Sequence, residues 1–253
     1  MSSSTTAGTC SASPATRPQI GNSVLRTYLG RGVAAGLLAG LAAGLFAYFF
    51  GEPHVDRALA LESGNAFNQV VDRPTQRLGL VVAVALYGAS VGAVFGLAFA
   101  SLRDRMAAPD DWTRSLRLSA ALFAGLFFLP FLKYPADPPG TGDPSNIGVR
   151  TVIYLVTVAV CVAAVFVAWS VARTLREGGT GTPARQALIG AGLVAVLTAF
   201  FATMPPATSP GDLPGAVLWD FRVSAVGTQA VLWSGLGAVF GALCERTDRK
   251  GAV

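Results

Sequence analysis

The feature that most constrains this chain is a recurrence of apolar blocks, each long enough to cross a hydrocarbon layer. They fall at about residues 29–50, 78–101, 115–132, 150–171, 187–204 and 219–244. A membrane-crossing helix needs roughly 20 consecutive apolar residues. Barrel strands are only ~10 residues long and alternate in facing, which these blocks do not. Composition agrees: 52% of residues are hydrophobic, 13% are charged and the mean hydropathy is +0.53. The expected fold is an all-α integral membrane protein with six transmembrane helices in three hairpins. A five-span topology is the alternative, because Met204-Pro205-Pro206 breaks the end of the fifth block. Residues 24–246 are expected to form one polytopic membrane domain. Residues 1–23, rich in Ser, Thr and Ala, are expected to be a disordered tail, and 247–253 a C-terminal tail.

Six spans put both ends on one side. That side carries thirteen Lys and Arg, among them Arg103, Arg105, Arg114, Arg117, Arg173, Arg176 and Arg185. The other side carries six: Arg57, Arg73, Arg77, Lys133, Arg150 and Arg222. The richer side should be cytoplasmic, so both termini are expected inside. This bias also accounts for the net charge of +5 without a nucleic-acid partner. Cys10, Cys161 and Cys244 lie far apart with no metal-ligand spacing, which argues against a zinc site or disulfide framework.

Internal spacing suggests how the helices pack and start. Gly32, Gly36, Gly40 and Gly44 recur every fourth residue and share one helix face, where a neighbouring backbone can approach. Gly-Ala-Val-Phe-Gly occurs at 92–96 and again at 237–241, each fifteen residues after an arginine, Arg77 or Arg222. Asp72, Asp143 and Asp212 each stand just before a proline at a helix start, as capping acids do.

The apolar centres hold no Asp, Glu, His, Lys or Arg over 32–51, 78–101, 151–172, 186–211 or 223–244. Carriers that couple ions usually place acids or histidines there. Gln229, beside Thr228, is the strongest polar group near a midplane and is expected to make a helix-packing hydrogen bond. Chemistry is therefore expected at the outer ends. Arg77, Arg150 and Arg222 sit at helix N-terminal ends, against both the helix dipole and the charge bias. They call for partners such as Asp72, Asp143, Asp212, Asp220 or Glu52. Glu52, His54 and Asp56 alone have metal-ligand chemistry at close spacing. An extended segment would place all three on one face, whereas a helix would align only Glu52 with Asp56. Glu62, Asp137 and Asp143 could add ligands. Imidazole with carboxylate suits divalent cobalt, nickel or zinc. No nucleophile motif, phosphate loop or H-E-x-x-H is present, so no enzyme is expected. A lipid-directed intramembrane enzyme would need a nucleophile and base converging at one depth.

Three segments carry a family resemblance. They are Gly-Glu-Pro-His-Val-Asp-Arg-Ala at 51–58, Pro-Phe-Leu-Lys-Tyr-Pro-Ala-Asp-Pro-Pro at 130–139 with Gly-Asp-Pro and Ile-Gly-Val-Arg-Thr after it, and Leu-Trp-Asp-Phe-Arg at 218–222 with Gly-Thr-Gln at 227–229. Together they resemble the CbtA family of predicted cobalt transporter subunits, from about residue 27 to 246. The resemblance implies a multi-pass protein of the bacterial inner membrane, associated with cobalt uptake for cobalamin synthesis. It implies a small single-span partner, CbtB, bearing a histidine-containing metal motif. Cobalt would be the substrate, with no permanently bound cofactor. The family motif maps onto Glu52, Pro53, Asp56, Lys133, Tyr134, Pro135, Asp137, Pro138, Asp143, Arg150, Trp219 and Arg222. The expectation is thus a metal set of Glu52, His54, Asp56, Asp137 and Asp143 in an outward acidic vestibule. Asp72, Arg77, Lys133, Arg150, Asp220 and Arg222 are expected as structural or gating charges. The competing reading is a non-transporting scaffold whose outer charges are structural ion pairs.

Overall fold

A computed structural model describes residues 21–61, 72–139, 144–207 and 213–251. The helices are α1 (Asn22–Phe46), α2 (Glu52–Leu61), α3 (Arg73–Leu102), α4 (Asp111–Phe123), α5 (Leu129–Lys133), α6 (Ile147–Glu177), α7 (Thr182–Thr203) and α8 (Gly215–Gly251). Among the described residues, six continuous helical stretches are long and apolar enough to span a membrane, with α1–α2 forming the first and α4–α5 the third. The fifth apolar block is a full helix of 22 residues, so six spans stand and five do not. α1 begins and α8 ends on one face, termed proximal; the opposite face is distal.

Two of these spans continue past a proline, and the backbone shows how. Glu52 N–H bonds Ala47 C=O, and Leu129 N–H bonds Ala124 C=O, each reaching back five residues. The next residue in each case is a proline, Pro53 or Pro130. Proline lacks the N–H for the usual bond, and its ring crowds the carbonyl four residues back. A single π turn, at 47–51 and again at 124–128, widens the helix there and accommodates the ring. Pro130 therefore does not end the third span, which runs on to Lys133. For the same reason 52–61 is helix, and the first span runs on past the apolar block at 29–50.

α1 and α3 form the closest pair. A Cβ on Gly36 would stand 2.1 Å from Gly88 O, and one on Gly92 would stand 2.0 Å from Gly32 O. Gly32, Gly36, Gly40 and Gly44 all meet α3, which answers with Gly88, Gly92 and Gly96. Small residues on both sides let the two backbones touch, and dispersion rather than hydrophobic transfer holds such pairs in lipid. α8 lies against α1 and α4. Ser115 and Ser119 of α4 donate hydroxyls to the Gly237 and Trp233 carbonyls of α8, the first at 2.7 Å. The two Gly-Ala-Val-Phe-Gly repeats thus serve alike: Gly92 and Gly96 admit α1, while Gly237 and Gly241 admit α4. Tyr28, Phe95, Phe99 and Phe240 fill the space among α1, α3 and α8.

The rest is more loosely joined. α6 packs on the α4–α5 span and on α7 around a small cluster of Leu129, Cys161 and Leu197. The main neighbour of α7 is α6, not its sequence successor α8. Only 11% of the apolar window of α6 and 6% of that of α7 is buried, so both present broad faces to the bilayer. Gln229 is half-buried and makes no hydrogen bond among the described residues. Its neighbour Thr228 donates back to Ser224 O within α8 at 2.9 Å, a local bond that competes with any interhelical one.

The distal charge clusters

The family-motif segments, up to 170 residues apart in sequence, end on the distal face. α2 and the start of α3 build the first cluster. Glu52 and Asp56 lie one helical turn apart and point to α3. Arg73 donates to Glu52 Oε2 at 2.8 Å and also to Asp56. Arg77 donates to Asp56, and its Nε stands 3.5 Å from Glu52 Oε2. Two carboxylates face two guanidiniums, so the quartet is neutral. Glu52 is itself buried; such a carboxylate is sustained only with partners like these. Asp72 takes no part. Its carboxylate caps α3, accepting from Thr75 N–H at 3.4 Å. The Thr75 hydroxyl, and then its N–H, hold this carboxyl below the usual carboxylate range.

His54 lies on the other side of α2. Its Nδ1 is buried without a hydrogen bond and stands 3.9 Å from Asp220 Oδ2, with Arg57 Nη1 at 3.7 Å from the same oxygen. The helical α2 thus separates His54 from Glu52 and Asp56.

The second cluster is built by the end of α5 and the segment that follows it. Lys133 donates to Phe201 O at 2.9 Å and to Met204 O at 3.3 Å, carbonyls at the C-terminal end of α7, where Phe201 O also accepts the Met204 N–H at 3.3 Å. Tyr134 OH donates to Pro205 O at 2.9 Å. Arg222 of α8 donates to Ala136 O at 3.2 Å and to Asp137 Oδ1 at 2.8 Å. The segment therefore clips α7 on one side and α8 on the other, joining two helices that scarcely meet directly. It also walls a half-open cavity of about 740 Å³ with the start of α6, lined by Tyr134, Asp137, Arg150, Tyr154 and Pro205 among others. Arg150 makes no hydrogen bond or ion pair among the described residues. Trp219 is 68% exposed.

These positions change the expected site. Among the described residues, no three of His, Cys, Asp and Glu converge to hold a metal. Glu52 and Asp56 are clamped by arginines, His54 faces Asp220, and Asp137 is taken by Arg222. Asp143, Asp212 and Glu62 lie outside the described residues. The expected acidic vestibule is, in its described part, a set of compensated pairs. Sequence reasoning missed Arg73 as the central donor of the first quartet. The signal was available: Arg73 and Arg77 are four apart, matching the spacing of Glu52 and Asp56.

The family model of CbtA, described as probable cobalt transporter subunit, matches residues 25–245. Comparison with curated proteins and with solved structures gives no match.

Proposed function

The chain belongs to the CbtA family, a multi-pass membrane family of probable cobalt transporter subunits, and from that premise we propose that it is the helical subunit of a cobalt uptake system. It works in a bacterial inner membrane with both termini cytoplasmic, beside a small histidine-bearing single-span partner. The observation that carries this reading is the match over nearly the whole chain. The gathering of its motif residues on one face supports it further. In this reading the metal ligands come chiefly from the partner. The present chain supplies the frame, and its distal pairs shape or close the entrance. The compensated carboxylates favour that division of labour, since a carboxylate held by two guanidiniums is a poor ligand for a hydrated dication. The test is cobalt accumulation at limiting cobalt in cells with the pair of genes, with each alone and with neither. Uptake that is the same in all four strains overturns the proposal.

The same pairing also favours the scaffold reading, in which the distal charges only hold helices together. Asp137→Asn separates the two. A scaffold predicts reduced folded yield with unchanged cobalt uptake per folded molecule. An entrance predicts altered uptake per folded molecule.

A further inference from the structure

The proximal face holds a second cavity, of about 460 Å³, between α4, α6 and α7. Five arginines border it: Arg105, Arg117, Arg173, Arg176 and Arg185, with Trp169 beneath them. The charge bias of membrane proteins explains why arginines lie on this face. It does not explain their convergence from separate segments on one cleft. Little internal compensation is present. Arg105 and Arg117 donate to the backbone carbonyls of Ser101 and Ala107 at 2.8 and 2.6 Å. Arg173 shares Glu177 at 2.9 Å on the solvent side. Arg176 and Arg185 make no hydrogen bond or ion pair among the described residues.

Beneath this charged rim the wall is apolar: Ala120, Ala121, Val165, Ala168 and Ile189. At the same depth as this wall, α6 exposes Phe166 and Val167, and α7 exposes Leu188. A soluble anion would match the rim and gain nothing from the wall. An anionic phospholipid matches both, with its phosphate among the guanidiniums and its chains along α6 and α7. Guanidinium forks suit phosphate oxygens, and basic pockets between membrane helices are known to take lipid headgroups. We propose that this cleft is a binding site for an anionic phospholipid, which fills the loose junction between the α4–α5 span and the α6–α7 pair. The inference needs only that the chain spans a membrane, not that it handles cobalt.

The full chain in neutral detergent, presented with phosphatidylglycerol or phosphatidylcholine, should retain phosphatidylglycerol selectively in native mass spectra. Arg176→Gln with Arg185→Gln should lower that retention on the order of tenfold. Arg26→Gln with Arg246→Gln removes the same charge from the same face, away from the cleft, and should leave retention unchanged. Should the first pair fail to fold, Arg105→Gln carries the same expectation with a smaller loss. Equal retention of the two lipids, or equal loss in both double variants, overturns the proposal. So does thermal stabilisation by inorganic phosphate as large as that by phosphatidylglycerol, which would mark a site for free anions.

Discussion

Replacing Gly92 by alanine tests the α1–α3 contact most directly. The added Cβ would stand 2.0 Å from Gly32 O and 2.8 Å from Gly36 Cα. An unstrained carbon–oxygen contact lies at about 3.3 Å, so the helices must part locally by about 1.3 Å. Both obstacles are backbone, and no rotamer change relieves them. A gap of ~1 Å forfeits up to about half of the dispersion energy of the contacts it opens, and overpacking of this kind costs about 1–3 kcal/mol. Alanine returns about 0.5–1 kcal/mol through helix propensity, which leaves a net loss of roughly 1–2 kcal/mol. For a domain of this size that is a fall in Tm of roughly 2–8 °C. Gly192→Ala on α7 is the matched control, since nothing lies within 4 Å of its added Cβ; it should keep or raise Tm. The buried thiols of Cys161 and Cys244 report unfolding in detergent through a thiol-reactive fluorophore, in a Cys10→Ser background. If Gly92→Ala melts level with or above Gly192→Ala, the backbone contact does not hold the pair together.

Alanine at Asp137 and at Arg222, singly and together, should give a coupling of about 1–2 kcal/mol in a double-mutant cycle of unfolding; additive losses would show the pair to be incidental. Arg73→Ala leaves buried Glu52 facing Arg77 alone and should cost about 2–4 kcal/mol, with Glu52→Gln in the same chain restoring part of it in the same melting assay. Lys133→Met removes the donor to Phe201 O and Met204 O and should speed amide exchange in the last turn of α7, while α3 stays unchanged. Asp72 and Asp110 have carboxyls held below the usual range, Asp110 by the Thr113 N–H and then its hydroxyl. Such groups stabilise the fold above the unfolded carboxyl pKa of about 3.9 and lose that contribution as pH falls through the lower folded value. Asp110→Asn should therefore flatten the decline of Tm below about pH 4, and an unchanged slope would count against the cap.

The spans were legible because an apolar run of this length has one stable solution in a bilayer, in which every backbone group is satisfied within the helix. The glycine ladder of α1 was legible through its period, and Arg77 and Arg222 announced a need for acids. Which acid each arginine took was not legible. That depended on α2 remaining helical past Pro53, which turned Asp56 rather than Asp72 towards Arg77. The same backbone detail separated His54 from the carboxylates. Lys133 was a charge without an address, because its acceptors are the closing carbonyls of a helix 68 residues away. The proximal cleft was hidden for a related reason: its arginines read as charge bias until three spans set them around one opening.

The two π turns have a mechanical consequence. Each interrupts the regular ladder just inside the distal face, and each is followed by a short helical segment that bears the charged residues. Beyond 47–51 come Glu52, His54 and Asp56; beyond 124–128 comes Lys133. A proline-bounded wide turn bends more readily than the ladder on either side. The glycine-laced shafts of α1 and α3 can stay rigid while the tips of the first and third spans swing about these joints. Salt bridges and carbonyl clips beyond each joint tie these two ends to α3 and α7.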